Sequence, residues 1–326
     1  MAVALDPRLA ALGIEEAVPF RVATTTRFRG VTRRDGWLLR GRVGWGEFSP
    51  FPEYPAEAAA RWLRAAVLAA TTPPPVSVRD AVDVNVTVPA VDPGTAAERV
   101  RAAGCRTAKV KVAESGQDLG ADEARVAAVR AALGPDGRIR VDANAGWDVP
   151  TAALALDRLD AAAGGLEYAE QPCRSIDELR DLRRRTRVPL AADESLRTAP
   201  DPMSAARAVA GAVDVVVLKV QPLGGVATAQ RLAEATDRPV VVSSALETSV
   251  GLVVGLDLAL AVPRLAGACG LGTADLLAED VVDEPILPVA GVLRRAARPE
   301  PRLVRPVVDD GALRARLHAA LASLTA

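Results

Sequence analysis

Ala108-Lys109-Val110-Lys111-Val112 places two lysines two residues apart inside an apolar, β-branched run. Side chains alternate along a strand, so Lys109 and Lys111 point to one face. Two ammonium groups on one face of a buried strand are costly unless paired or used. Downstream, Asp142, Glu170, Asp193 and Lys219 each stand near the end of another apolar run.

Outward from this stretch the chain alternates. Strands are expected at 83–88, 108–112, 138–142, 166–169, 189–192, 213–220, 239–243 and 266–270. Helices are expected at 93–103, 121–132, 150–161, 175–185, 202–210, 226–235 and 249–261. Eight strands alternating with helices predict an α/β fold, a TIM-like barrel. Ahead of it, 18–29 and 37–48 read as strands, and the basic, glycine-bounded segment 27–36 as a loop. A helix over 56–70 carries Trp62, Leu63, Val67 and Leu68 on one face. Residues 1–81 thus form an α+β capping unit, 82–285 the barrel, and 286–326 a proline-rich return that packs on the cap and closes in a helix near 310–324.

Composition narrows the chemistry. Lys+Arg is 40 against Asp+Glu 41, a net charge of −1, which gives no general attraction to nucleic acid or an anionic membrane. Cys105, Cys173 and Cys269 lack CxxC spacing and read as reduced thiols of a cytoplasmic protein. Met1 to Ala10 lacks the apolar run of a signal peptide, and Glu247 and Asp257 make 240–263 a poor membrane span. His318 is the only histidine, so a multi-histidine zinc site cannot be built from this chain, and because it lies in the last helix-like segment, far along the chain from every other candidate, a Ser-His-Asp triad is not expected. Acid–base work falls to lysine, carboxylate, tyrosine or cysteine.

In a β/α barrel the C-terminal strand ends converge on one mouth. Lys111, Asp142, Glu170, Asp193 and Lys219 end five consecutive strands of the expected order. One such carboxylate alone is more commonly a helix cap or a surface ion-pair partner. Three from adjacent strands, without histidine, favour a hard, oxygen-liking cation, Mg²⁺ first. Such a cation binds a substrate carboxylate and stabilises the charge left when the adjacent carbon loses its proton. A neutral lysine can be the base. Bringing its pKa from about 10.4 to about 7–8 costs about 3–5 kcal/mol, and burial beside other cations acts in that direction.

Lys109-Val110-Lys111, Asp142-Ala143-Asn144-Ala145-Gly146-Trp147, Glu170-Gln171-Pro172, Asp193-Glu194-Ser195 and Leu218-Lys219 together resemble the enolase superfamily, in its lysine–lysine, muconate-lactonizing-like subgroup. The resemblance spans almost the whole chain. It implies a capping domain, a (β/α)₇β barrel and a C-terminal return to the cap. It also implies that Asp142, Glu170 and Asp193 bind Mg²⁺, that Lys111 takes the α-proton, and that Lys219 stabilises the enolate from the opposite face, with Lys109 and Asn144 supporting. Donor and acceptor roles of the two lysines stay open at this point.

Gly44-Trp45-Gly46-Glu47-Phe48-Ser49-Pro50-Phe51-Pro52 and Ser243-Ser244-Ala245-Leu246-Glu247-Thr248-Ser249-Val250-Gly251 narrow the resemblance to a dehydratase branch. The implied reaction is syn-dehydration of 2-succinyl-6-hydroxy-2,4-cyclohexadiene-1-carboxylate in menaquinone biosynthesis. The implied partner is that small carboxylate substrate, not nucleic acid or membrane. Arg29, Arg33 and Arg34 are candidates to cover it or meet its succinyl group. Ser243, Ser244 and the backbone from Gly270 are candidate hydrogen-bond donors, and Cys173 a buried bystander. The alternatives are an N-succinylamino-acid racemase or dipeptide epimerase of the same subgroup, or a non-catalytic barrel used for binding.

Overall fold

The computed structural model describes residues 5–28, 30–302, 307 and 310–325. Helix α1 (Pro7–Ala11) starts at Asp6, whose carboxylate accepts the Arg8 N–H. Strands β1 (Ile14–Phe28), β2 (Val31–Gly41) and β3 (Gly44–Phe48) then form an antiparallel sheet in that order. Of the loop expected over 27–36, residues 27–28 and 31–36 are strand instead: Arg33, Arg34 and Asp35 pair with Ala23, Val22 and Arg21. Pairing imposes alternation on this charged stretch, so Arg34 is buried while Arg33 stays exposed. The expected strand 37–48 is two strands joined by a turn after Gly41.

Helix α2 (Ala56–Thr71) lies across this sheet and buries Trp62, Leu63 and Val67. Gly46 lets it approach: a Cβ there would fall 2.0 Å from the Ala66 carbonyl oxygen.

The barrel follows as β4 (Ala81–Val88), α3 (Pro93–Ala103), β5 (Thr107–Lys111), α4 (Leu119–Leu133), β6 (Arg138–Asp142), α5 (Val149–Ala163), β7 (Tyr168–Glu170) and α6 (Ile176–Arg183). It continues with β8 (Leu190–Ala192), α7 (Glu194–Arg197), α8 (Pro202–Val209), β9 (Val215–Leu218), α9 (Val226–Thr236), β10 (Val240–Val242), α10 (Ser249–Ala261) and β11 (Cys269–Gly272). Five barrel helices start on side chains that accept a first-turn N–H: Asp92, Asp118, Asp148, Ser175 and Asp201 open α3, α4, α5, α6 and α8. The parallel strands run β10-β9-β8-β7-β6-β5-β4-β11. Bridges Ser243–Gly270 and Val240–Leu265 bring β11 beside β10, so the barrel is nearly closed.

Strand alternation builds two layers. Val110, Ile139, Val141, Leu190 and Val216 face the helices, and burying each contributes about 1.5–3 kcal/mol. Tyr168, Ala191, Val217 and Val241 pack together as a separate inner cluster. Helix α10 is buried nearly all round because it is packed into both cores: Val250 joins the cap's, Leu252 to Leu258 the barrel's. Among the described residues no helix is long and apolar enough to cross a membrane.

The return divides. Strand β12 (Val292–Arg294) stays with the barrel, antiparallel to β4. Helix α11 (Gly311–Thr325) packs on the cap, where the Trp37 indole N–H donates to the Leu313 carbonyl at 3.2 Å.

Candidate active site

Parallel register puts Lys111 beside Asp142 and Asp142 beside Glu170. Asp193 follows β8 and Lys219 follows β9 directly. Lys109, Lys111, Asp142, Glu170, Asp193 and Lys219 are all buried. Lys109 Nζ lies 2.6 Å from Glu170 Oε1 and 2.8 Å from Asp142 Oδ2. Lys111 Nζ is 2.5 Å from Asp142 Oδ2 and 2.7 Å from Asn144 Oδ1, and Lys219 pairs with Asp193 Oδ2. In an eight-strand barrel, β5 and β9 stand four strands apart, on opposite sides. The carboxylates of β6, β7 and the end of β8 lie between them.

This arrangement separates the two neighbouring lysines electrostatically. Burial works against the charge of Lys109, but Asp142 and Glu170 outweigh it and hold the ammonium above lysine's usual range. Burial pushes Lys111 below its usual value; Asp142 opposes the shift and the Lys109 charge reinforces it. Burial lifts Glu170 to about 7, aided by the Asp142 charge. Asp142 and Asp193 go the other way. Burial would raise both, but Lys109, Lys111 and Lys219 hold Asp142 low, and Arg197 and Lys219 hold Asp193 low.

Among the described residues no three His, Cys, Asp or Glu side chains surround one common point at ligand spacing. The ammonium groups stand against the carboxylates instead. The donor set still fits a hard divalent cation. It offers three buried carboxylates from adjacent strand ends, and a cationic nitrogen, Lys109 Nζ, already sits where Asp142 and Glu170 oxygens converge.

The lysines open on a small cleft of about 30 Å³ between cap and barrel, lined by Phe28 and Phe51 from the cap and by Ser243 to Leu246 and Thr273 from the barrel. The Phe28 ring lies 5.4 Å from Lys111 Nζ. Beside it a basin of about 390 Å³ reaches Lys111 and Asn144 from Arg27 and Glu114.

Of the residues expected to bind substrate, Ser243 and Ser244 reach this cleft. Gly270 stands behind them: its carbonyl accepts the Ser244 N–H at 2.9 Å, and a Cβ there would strike Ser243 Oγ. Arg33 is not brought to the cleft; it is exposed and pairs with Asp35 at 3.3 Å. Arg34 is buried in contacts with protein groups, as strand pairing turned it inward. Arg29 lies outside the described residues.

Several neighbours escaped the sequence reading. Arg197 Nε donates to Asp193 Oδ1 at 3.0 Å, and its other nitrogens reach Glu194 and the Tyr54 hydroxyl. Glu194 in turn accepts from Asn144 Nδ2 at 3.0 Å. Gln171 Oε1 accepts the backbone N–H groups of Asp193 and Ser195, and Gln171 Nε2 donates to Ser195 Oγ. The i,i+4 spacing of Asp193 and Arg197 was the available signal; Tyr54 gave none, because its partner is 143 residues away.

Comparison with known proteins agrees with this architecture. Residues 19–70 match the enolase N-terminal domain-like family and residues 94–299 the enolase C-terminal domain-like family. The chain is 56% identical over 306 residues to an o-succinylbenzoate synthase of Thermobifida fusca, covering 93% of this chain and 95% of that protein. It is 50% identical over 321 residues to an o-succinylbenzoate synthase of Mycolicibacterium smegmatis, covering 97% and 92%. Among solved structures, muconate lactonizing enzyme of Pseudomonas fluorescens with muconolactone superposes with a TM-score of 0.73 at 22% identity, over 88% of this chain and 95% of that one. A dipeptide epimerase of Enterococcus faecalis with Mg and a dipeptide gives 0.72 at 20%, over 87% and 97%. At those identities the two structures speak for the fold alone, whereas the sequence relatives place the chain more narrowly: it belongs to the o-succinylbenzoate synthase family of the enolase superfamily.

Proposed function

We propose that this chain is the hydro-lyase that forms o-succinylbenzoate in menaquinone biosynthesis, with Lys111 as its base. The observation that carries this reading is 56% and 50% identity, over nearly the whole chain, to two o-succinylbenzoate synthases; the placement of Lys111 and Lys219 on opposite sides of the barrel mouth, with Asp142, Glu170 and Asp193 between them, supports it. Asp142, Glu170 and Asp193 would hold a divalent cation, with Mg²⁺ first for an all-oxygen set. When bound, that ion supplies a Lewis acid for the substrate carboxylate and the charge that builds on it.

The chain's residues account for the proton transfers. Neutral Lys111 Nζ takes the hydrogen from the ring carbon bearing the carboxylate. Electron density moves into the carboxylate and is faced by the Lys219 ammonium. Lys111 then returns the same proton to the departing hydroxyl on the neighbouring ring carbon. One C–H and one C–O bond break, water leaves, the ring becomes aromatic and Lys111 ends neutral. A single lysine suffices because both leaving groups are on one face. Lys109, fixed as a cation by two carboxylates, lowers the proton affinity of Lys111. Asn144 Oδ1 accepts from Lys111 Nζ and orients it. Phe28 and Phe51 cover the cleft against water.

The test is conversion of 2-succinyl-6-hydroxy-2,4-cyclohexadiene-1-carboxylate to o-succinylbenzoate by the purified protein with Mg²⁺. Lysines facing each other across the mouth are also what a racemase needs, one base per face. Absent turnover, together with deuterium exchange at Cα of N-succinylamino acids, would favour that second reading.

A further inference from the structure

Arg34 stands on β2 of the cap, yet it grips both walls of the cleft. Its Nε donates to the Leu246 carbonyl at 3.0 Å, across 212 residues of sequence. Its Nη2 donates to the carbonyl of Ser49 and, at 3.2 Å, to Ser49 Oγ. Its guanidinium lies 4.0 Å from the centre of the Phe51 ring. Phe51 and Leu246 are the cap-side and barrel-side walls of the cleft that holds Lys109, Lys111 and Lys219.

The grip is anchored from behind. Ser49 Oγ donates to Glu47 Oε1 at 2.6 Å. Glu47 Oε2 accepts the Thr248 and Gly251 N–H groups at 3.0 and 3.1 Å and the Thr248 hydroxyl, so a cap carboxylate seals the start of barrel helix α10. Glu247 accepts the Ala245 N–H at 2.6 Å. Leu246 sits between these anchors at φ +60°, a left-handed conformation that costs a branched residue about 1 kcal/mol or more and persists only where its surroundings hold it.

We propose that Arg34 is a positioning residue: held by Ser49 and Glu47, it sets the separation of Phe51 from the Ser244–Leu246 segment and thereby the fit of the substrate. A planar, five-donor fork suits this task, because it can stack on Phe51 while donating along two directions in its plane. Lysine keeps the charge and three donors but gathers them on one nitrogen, so it loses the spaced pair of donor atoms and the flat face. The inference rests on the dehydratase reading for its kinetic readout, so binding of the product, o-succinylbenzoate, is measured beside it.

The experiment compares wild type with Arg34→Lys in thermal unfolding, steady-state kinetics and calorimetric titration with o-succinylbenzoate. The expected result is a folded variant whose KM and product Kd rise about tenfold while kcat changes less than about threefold. A folded Arg34→Lys with unchanged KM and Kd would overturn the proposal and leave Arg34 as domain glue. If Arg34→Lys does not fold, Ser49→Ala, which removes only the Oγ link between Arg34 and Glu47, decides it. There a threefold or larger rise in Kd supports the positioning role and no change rejects it. A wild type that binds o-succinylbenzoate without turning over substrate would sink the dehydratase reading, and the Kd values would still judge Arg34.

Discussion

Charge is buried at both ends of this barrel, and the two ends use it differently. At the mouth, Lys109, Lys111 and Lys219 face Asp142, Glu170 and Asp193 beneath the cap. Toward the base, Arg140 is wholly buried. It meets Glu167, donates to Asn85 Oδ1 at 3.3 Å and to the Ala268 carbonyl at 2.6 Å, and lies 4.7 Å from the Tyr168 ring. A guanidinium cannot give up its proton at any working pH, and its partners include neutral groups that no reaction needs. A lysine can be neutral, and its carboxylate partners can hold a cation. Buried charge does not mark a site; charge that can move, beside a cleft, does.

Three changes test this contrast directly. Lys111→Ala should lower kcat by about 10³-fold or more, in the upper range for loss of a positioned base, with the fold intact by circular dichroism. Retained turnover would end the base assignment. Chelation should take activity to background and added Mg²⁺ restore it; activity indifferent to both would deny the carboxylates their proposed part. Arg140→Leu should do the reverse of Lys111→Ala. It leaves Glu167 only its pair with the exposed Arg138 and strips a donor from the buried Asn85 Oδ1 and the Ala268 carbonyl, and should cost on the order of 3 kcal/mol in urea unfolding, while kcat of the folded fraction holds.

The third region, between cap and barrel, gives a smaller and pH-dependent effect. Burial lifts Glu47 to about 7, against its hydrogen bonds from Ser49 and Thr248; Glu247 adds to the lift and Arg34 opposes it. A carboxyl raised on folding gives stability that is complete below its unfolded pKa, near 4.5, and is lost as pH rises through about 7. Across that window wild type should lose about 3 kcal/mol from this group, and Glu47→Gln should flatten the slope. Equal slopes in both proteins would show that Glu47 is not lifted. Smallest of all, Arg33→Ala removes an exposed pair with Asp35 and should change stability by less than about 0.5 kcal/mol and kinetics not at all.

The sites' legibility follows the same division. Strand alternation is local, so Lys109 and Lys111 could be put on one face from five residues. The strand-end positions of Asp142 and Glu170 followed from where apolar runs stop. Strands 31–36 and 292–294 were missed for the opposite reason. The first is dense in arginine and glycine, the second only three residues long, and each is a strand only because a distant partner supplies the hydrogen bonds. Arg34 reads as a solvated loop charge until that partner turns it inward.

Local pattern and composition were enough for the α/β alternation, the chemical types at the barrel mouth and the confinement of histidine to His318, far along the chain, because periodicity and composition need no knowledge of distant contacts. Tertiary structure alone decided which cap residues meet that mouth. Tyr54 reaches Arg197 and Arg34 reaches Leu246 across 143 and 212 residues. Those meetings depend on how one packed surface docks on another, which no local pattern encodes.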